Sequence, residues 1–380
     1  MSSVEEFRAE IRAWLADHLV GEFAELRGRG GPGREHEAFE GRLAWERHMA
    51  AHGWTCVGWP VEHGGRGASL EEQIAFHEEY ALADAPARVN HIGEQLLGPT
   101  LIAFGTEEQK KRFLPPIVAV EELWCQGYSE PDAGSDLANV RTRGALSPDG
   151  SQWVVDGQKI WTSLAHEAQW CFVVARTEPG SRRHAGLSYL LVPLDRPGVE
   201  VRPIVQLTGT SEFNEVFFDG ARTDASHVVG EPGDGWRIAM ATLGFERGVS
   251  TLGQQVGFRR EWDALAELAR KNGAIADPLI RDRLVRAWID LEAMAASARR
   301  GVDPSVGKLH WAAWHRGLGE LAMDVCGAAS TVAAGEPYEL DDWQLLFLFS
   351  RADTIYAGSD EIQKNIVAER VLGLPKEARV

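Results

Sequence analysis

The spacing of apolar residues in this chain switches from helical to alternating and back again, a pattern that neither an all-helical nor an all-β domain accommodates. From residue 4 to about 120 they recur every three or four positions, with Phe7, Ile11, Trp14 and Leu15 on one face and Leu43, Trp45 and Met49 on another. Between 123 and 232 short runs rich in β-branched and aromatic residues take over, QWVVDG, WCFVVA, LSYLLVPL, VEVRPI and FNEVFF, separated by Gly, Pro, Asp and Ser. After Pro232 the helical period returns, with Ile280, Leu284, Trp288, Leu291, Met294 and Ala298 stepping along one segment. Helices are expected over 235–271, 278–300, 304–327 and 341–370; few, long and joined by short loops, they pack most naturally as an antiparallel four-helix bundle. A single core stops growing near roughly 250–300 residues, so a chain of 380 divides. The expected class is α+β: an N-terminal helical domain (1–122), a middle antiparallel β domain (123–232) and a C-terminal helical bundle (233–380).

Charge removes several functions. With 39 basic and 56 acidic residues the formal charge is −17, which argues against nonspecific binding to nucleic acid or to an anionic membrane, though not against a phosphate-bearing ligand held locally. No apolar run approaches the roughly 18 residues of a membrane span, and the acidic amphipathic start lacks a signal-peptide core, so a cytoplasmic location is expected. Cys56, Cys125, Cys171 and Cys326 are widely separated, and no histidine cluster stands out, so neither a disulfide framework nor a metal site is expected. The glycine run at 28–33 has no strand before it to make a phosphate loop and reads as a flexible connection. The glycines at 64, 65 and 67 precede Ser69 and Glu71-Glu72, the pattern of a turn entering a capped helix.

Three motifs fall at the junctions of these zones. They are Trp124-Cys125-Gln126-Gly127-Tyr128-Ser129-Glu130-Pro131-Asp132-Ala133-Gly134-Ser135-Asp136, then Gly157-Gln158-Lys159-Ile160-Trp161-Thr162-Ser163, and finally Ile355-Tyr356-Ala357-Gly358-Ser359-Asp360-Glu361-Ile362-Gln363. In this order the three resemble the signatures of the acyl-CoA dehydrogenases over roughly residues 4 to 374, and the run from Ser135 to Thr142 is similar to that of subunits of heteromeric actinobacterial steroid side-chain enzymes. The resemblance implies FAD held by the middle and C-terminal domains. It further implies oxidation of an acyl-CoA thioester to the 2,3-enoyl form, with electrons passed to an electron-transfer flavoprotein. It places Gln126, Tyr128, Ser129, Ser135, Trp161, Thr162, Ser163, Ser359 and Glu361 at the cofactor, and Ser135, Arg247, Tyr356, Ala357 and Gly358 at the substrate. Hydroxyl and backbone donors suit a ring edge on which charge develops during reduction. An isolated strand tryptophan such as Trp161 would otherwise be read as core. A related flavin oxidase or monooxygenase, or a non-catalytic partner subunit, stays open beside this reading.

Two departures from the family pattern matter. The position that carries the catalytic Glu in most members is Ala357, and an alanine takes no proton. Leu243-Gly244-Phe245-Glu246-Arg247 matches the alternative location used by the isovaleryl and long-chain branches, so Glu246 is the expected base. The second departure concerns the contacts that a neighbouring subunit makes to the cofactor. Ala269-Arg270-Lys271-Asn272-Gly273-Ala274 lacks the family's Phe-Gly, and Asp324 stands where a Gln is expected. A carboxylate there repels a pyrophosphate. An oligomer is therefore expected, either an α2β2 assembly with a homologous subunit or a homotetramer or dimer with divergent cofactor contacts.

Overall fold

The computed structural model describes residues 3–246 and 250–376, apart from the side chains of residues 246, 250–253 and 299. Local capping chemistry sets where the first helices begin. Ser3 Oγ accepts from the Glu6 amide at 3.1 Å while the Glu6 carboxylate accepts from the Ser3 amide at 2.7 Å, starting α1 (Val4–His18), whose Phe7, Ile11 and Leu15 are buried. After α2 (Phe39–Ala51), the same reciprocal box between Ser69 and Glu72 starts α3 (Leu70–Leu82), and another between Thr106 and Gln109 follows α4 (Gly98–Phe104) and starts α5 (Glu107–Val118).

Eight strands follow in one sheet: β1 (Trp124–Gly127), β2 (Arg143–Leu146), β3 (Gln152–Ser163), β4 (Trp170–Arg176), β5 (Leu187–Pro193), β6 (Val199–Ile204), β7 (Phe213–Asp224) and β8 (Val228–Val229), and α6 (Gly235–Glu246) comes after them. The order across the sheet is β6-β7-β3-β2-β4-β5-β8, with β1 joined to β4. Most pairings are antiparallel, but β1 runs parallel to β4 from Trp124 opposite Trp170 to Gly127 opposite Val173, and Arg143 pairs in parallel with Arg176. The sheet is therefore mixed rather than antiparallel throughout: the β2–β3 hairpin lies between β1 and β4 in the chain and supplies the long connection that a parallel pair needs. Every residue of β5 is buried, since both faces of the sheet are covered. Tyr189 and Leu191 pack with Leu97, Leu101, Phe113, Ile117 and Ile238, whereas Leu190 and Val192 pack with Trp153, Val155, Val216 and Phe218. Cys125 and Cys171, far apart in sequence, are register partners, and all four cysteines are free thiols.

The chain divides into two compact units. One runs to Ala75 and includes Ala83–Gln206 and Thr210 through α6; the other comprises Phe76–Leu82, Leu207–Gly209 and the residues after α6. The second unit contains α7 (Ser250–Lys271), α8 (Pro278–Arg299), α9 (Pro304–Cys326), α10 (Asp342–Phe349) and α11 (Asp360–Ile366), around a core of Phe258, Leu265, Leu284, Leu291, Trp314, Leu318 and Val325. Two of the expected long helices, over 278–300 and 304–327, are present in outline as α8 and α9, while the stretch expected as one helix over 235–271 is described as two, α6 and α7, with residues 247–249 outside the described residues. The fourth, expected over 341–370, is divided: α10 ends at Phe349, and the chain turns through Ala357 at φ 51° and Gly358 at φ 85° before α11 starts. Left-handed residues cannot continue a right-handed helix, so the third motif is a turn between two short helices. Trp288, expected on the buried stripe of α8, is 41% exposed.

Candidate active site

In the first unit the two motifs are tied together by charge. Lys159 Nζ donates to the Glu130 carboxylate at 2.8 Å, to the Tyr128 carbonyl at 3.0 Å and to the Val174 carbonyl at 2.8 Å, and the lysine side chain is fully buried. The other demands of Glu130 are met by the Arg141 amide at 2.6 Å and the Thr142 amide at 2.8 Å. Burial alone would raise the Glu130 carboxyl, but the Lys159 ammonium and these hydrogen bonds outweigh it and hold the group below the usual carboxylate range. The Ile160 amide donates to the Ser129 carbonyl at 2.9 Å, completing the seam. Gly157, at φ 148°, allows the approach: a Cβ there would lie 2.6 Å from Thr142 Oγ1.

This seam leads into an irregular stretch of β3. Between Lys159 and Thr162 three steps on β3 oppose two on β7, a bulge that turns Trp161 outward at φ 60°. Its side chain is 57% exposed and meets Phe213 edge-on at 6.2 Å, so the core reading usual for a strand tryptophan does not apply. The neighbouring Thr162 is fully buried, yet its Oγ1 has no hydrogen-bond partner among the described residues. Tyr128 is buried against Phe172 and Tyr189, Gln126, Ser129 and Ser163 are half-buried, and Ser135 is exposed.

A basic cleft lies in the same unit. A cavity of about 430 Å³ is lined by Asn139, Val140, Arg141, Arg143, Arg176, Ser181, Arg182 and Arg183. Arg176 builds it, donating to the Ala138 carbonyl at 3.1 Å, the Arg183 carbonyl at 3.2 Å, the Ala185 carbonyl at 2.9 Å and Ser181 Oγ at 3.0 Å. Arg141 faces Asp132 at 3.3 Å. Arg143, Arg182 and Arg183 are exposed and have no carboxylate partner among the described residues. Sequence reasoning sought the ligand's cation at Arg247 and passed over this cluster; its signal was the paired arginines at 141, 143, 182 and 183.

In the second unit the third motif rests on a buried network. His315 Nδ1 meets the Asp353 carboxylate at 2.6 Å and His315 Nε2 meets Glu261 at 3.0 Å; the Tyr356 hydroxyl donates to Asp353, and Lys308 Nζ donates to the Asp353 carbonyl at 2.6 Å. Gln363 Nε2 donates to the Ala357 carbonyl at 2.9 Å, fixing the turn. Ser359 caps α11, its Oγ accepting from the Ile362 amide at 3.4 Å, and the exposed Glu361 carboxylate is held below its usual range by its own backbone amide and by Ser359. Burial would depress the His315 pKa, but Asp353 and Glu261 outweigh it and push it up to about 10. A raised pKa stabilises the fold while pH lies below the unfolded value near 6.5, and the contribution fades as pH rises toward 10. The melting temperature should therefore fall through that window, and His315→Gln should flatten the difference while costing roughly 3–5 kcal/mol at pH 6. Parallel pH profiles for the two proteins would contradict this.

Arg247 and the side chain of Glu246 lie outside the described residues; the backbone of Glu246 ends α6. Asp324 pairs with Arg283, and Asn272 Nδ2 donates to the Val325 carbonyl at 2.8 Å, so the two divergent segments brace α7 and α8 against α9. The structure also corrects the expectation that no histidines cluster: His18, His48 and His52 converge, each offering a ring nitrogen within 4.8 Å of the others. The legible part was the four-residue spacing of His48 and His52 along one helix face; His18, thirty positions away from His48, had no local signal.

A helical entry, a mixed sheet carrying two motifs locked by Glu130 and Lys159, and a helical end with a capped left-handed turn define the class. The chain belongs to the acyl-CoA dehydrogenase family. Residues 2–121, 125–221 and 233–372 match the models of the acyl-CoA dehydrogenase N-terminal, middle and C-terminal domains. Acyl-CoA dehydrogenase IpdE1 of Mycolicibacterium smegmatis and that of Mycobacterium tuberculosis are each 66% identical to this chain, with 100% of both sequences covered. Among solved structures, the Tcur3481-Tcur3483 steroid ACAD is similar with a TM-score of 0.83 at 30% identity, covering 98% of each chain. The ChsE4-ChsE5 complex from Mycobacterium tuberculosis gives 0.81 at 29% identity, covering 99% of each.

Proposed function

We propose that this chain is an FAD-dependent dehydrogenase that introduces the α,β double bond into an acyl-CoA thioester, with a steroid-derived or branched acyl group, and passes the electrons to an electron-transfer flavoprotein. The observation that carries the reading is the locked pair of motifs ending in an outturned Trp161 and a buried Thr162 hydroxyl with no partner among the described residues. That donor set fits a flavin edge: an aromatic face, a hydroxyl without a protein acceptor and the adjacent Ser163, on a strand whose irregularity aims them. When bound, FAD supplies the acceptor for the hydride leaving the β-carbon.

The chain's own residues divide the remaining work. Glu246 removes the α-proton as general base. The Ala357 amide donates to the thioester carbonyl and stabilises the enolate charge, a role that a missing side chain does not affect. Tyr356 is held by Asp353 and positions that turn. Ser135 and the arginine cleft hold the phosphate-bearing end of coenzyme A, so that a chain of charge −17 presents local positive potential where the anion docks.

The partner reading rests on three supports. Asp324 is committed to Arg283. Val285, Trp288 and Ile289 lie exposed along one face of α8. The names of the two similar structures each join two proteins. A homologous second subunit in an α2β2 assembly completes the cofactor's surroundings, in the cytoplasm; among the described residues no helix is long and apolar enough to cross a membrane.

The test is anaerobic flavin reduction by a panel of acyl-CoA thioesters, from short straight chains to steroid-derived ones, with the chain co-expressed with homologous subunits. Bleaching by one class, reversed by electron-transfer flavoprotein, is expected; no bleaching by any thioester would overturn the reading. Within that assay, Arg182→Ser with Arg183→Ser should raise KM about tenfold with kcat unchanged, from two exposed contacts of roughly 0.5–1 kcal/mol each. The penalty should shrink in high salt.

A further inference from the structure

The histidine cluster sits where two helix ends meet. His18 is the last residue of α1, and His52 is the C-cap of α2, one turn beyond His48. Helix C-termini carry partial negative charge, so both ends favour a cation. His52 Nδ1 donates to the His48 carbonyl at 2.8 Å, which leaves the Nε2 of a neutral ring as a lone pair and orients it through a bond to the backbone. His18 Nδ1 and His48 Nε2 are 2.9 Å apart and share one hydrogen; moving it to the other nitrogen of its ring frees both lone pairs. Trp14 stacks on His18 at 4.6 Å and packs beside His48 and His52 at 5.9 and 5.7 Å, and Phe23 lies 5.2 Å from His48, so an aromatic wall closes one side. His52 is exposed and leaves the opposite side open to solvent.

We propose that His18, His48 and His52 bind one divalent transition-metal ion of borderline softness, zinc foremost, and that the ion clamps α1 to α2. Three imidazoles with a fourth position taken by water match the donor preference of zinc. Tetrahedral ligation at about 2.0–2.1 Å places ligand nitrogens roughly 3.3 Å apart. The His18–His48 separation needs only a few tenths of an ångström to reach it, and His52 closes by a side-chain rotation from within 4.8 Å. The ion's role is structural: it joins two segments that are thirty residues apart at His18 and His48 and raises stability by binding the folded state alone.

The experiment uses the full-length chain purified without a polyhistidine tag, with any subunit that co-purifies. Zinc titration by calorimetry should give one equivalent at micromolar affinity or tighter, cobalt(II) should give the visible absorption of a tetrahedral site, and zinc should raise the melting temperature. Because losing even an outer partner of a metal ligand costs 10–100-fold, His48→Gln and His52→Gln should each weaken binding at least about 100-fold and abolish the thermal shift. His310→Gln, remote in sequence, should change neither. If His48→Gln fails to fold, the exposed His52→Gln decides alone. Absence of a saturable equivalent in the unaltered protein, or unchanged binding in His52→Gln, would show a stack of imidazoles only and overturn the proposal.

Discussion

Glu246→Gln should bind FAD and acyl-CoA with little change and yet leave the flavin oxidised, its reduction slowed by roughly 10²–10⁴-fold, the usual worth of a positioned base. Removing a weakly acidic α-proton requires a general base, and Ala357, standing where the resemblance puts the base in the C-terminal motif, takes no proton, which leaves Glu246 at the alternative position. Glu246→Asp should retain part of the rate, because it shortens the carboxylate without removing it. Stopped-flow absorbance under anaerobic conditions separates the outcomes: reduction of Glu246→Gln at the unaltered rate would place the base elsewhere.

Lys159→Met should unfold early and lose FAD. The ammonium is fully buried and makes three bonds, and its removal leaves the Glu130 carboxylate 7% exposed without a counter-charge. Breaking a buried pair in this way costs roughly 3–5 kcal/mol, whereas replacing both partners by apolar groups is often close to neutral. Glu130→Leu with Lys159→Met should therefore recover part of the loss, although the Arg141 and Thr142 amides then lose their acceptor. Melting temperatures of the two single variants and the double variant form the check. Strict additivity would mean that the two residues stabilise the seam independently, and the electrostatic account would fail. Free FAD in the filtrate of the single variant would tie the seam to cofactor retention.

The residues of these two predictions were legible to different degrees. Glu130 and Lys159 stand inside the first two motifs, whose hydroxyl-bearing residues carry the local chemical signal, but nothing within either motif pairs the two charges. Trp161 was read for its aromatic face, while its outward turn comes from a bulge that no local pattern announced. Nothing local marks His315, because Asp353 and Glu261, which set its charge, come from elsewhere in the chain.

Sequence by itself determined the helix starts, the three zones, the positions of the motifs and the family. These depend on interactions spanning a few residues: the period of burial, reciprocal capping boxes such as Ser3–Glu6 and Thr106–Gln109, and steric limits on proline and glycine. Tertiary structure alone decided the parallel pairing of β1 with β4, the arginine cleft assembled from residues 139 to 183, the network under Tyr356 and the meeting of His18 with His48 and His52. A buried charge and a solvated one carry the same letter in the chain. Which of the two it becomes is settled only when distant segments close on it and exclude water, and the free energy of that step belongs to the assembled pair.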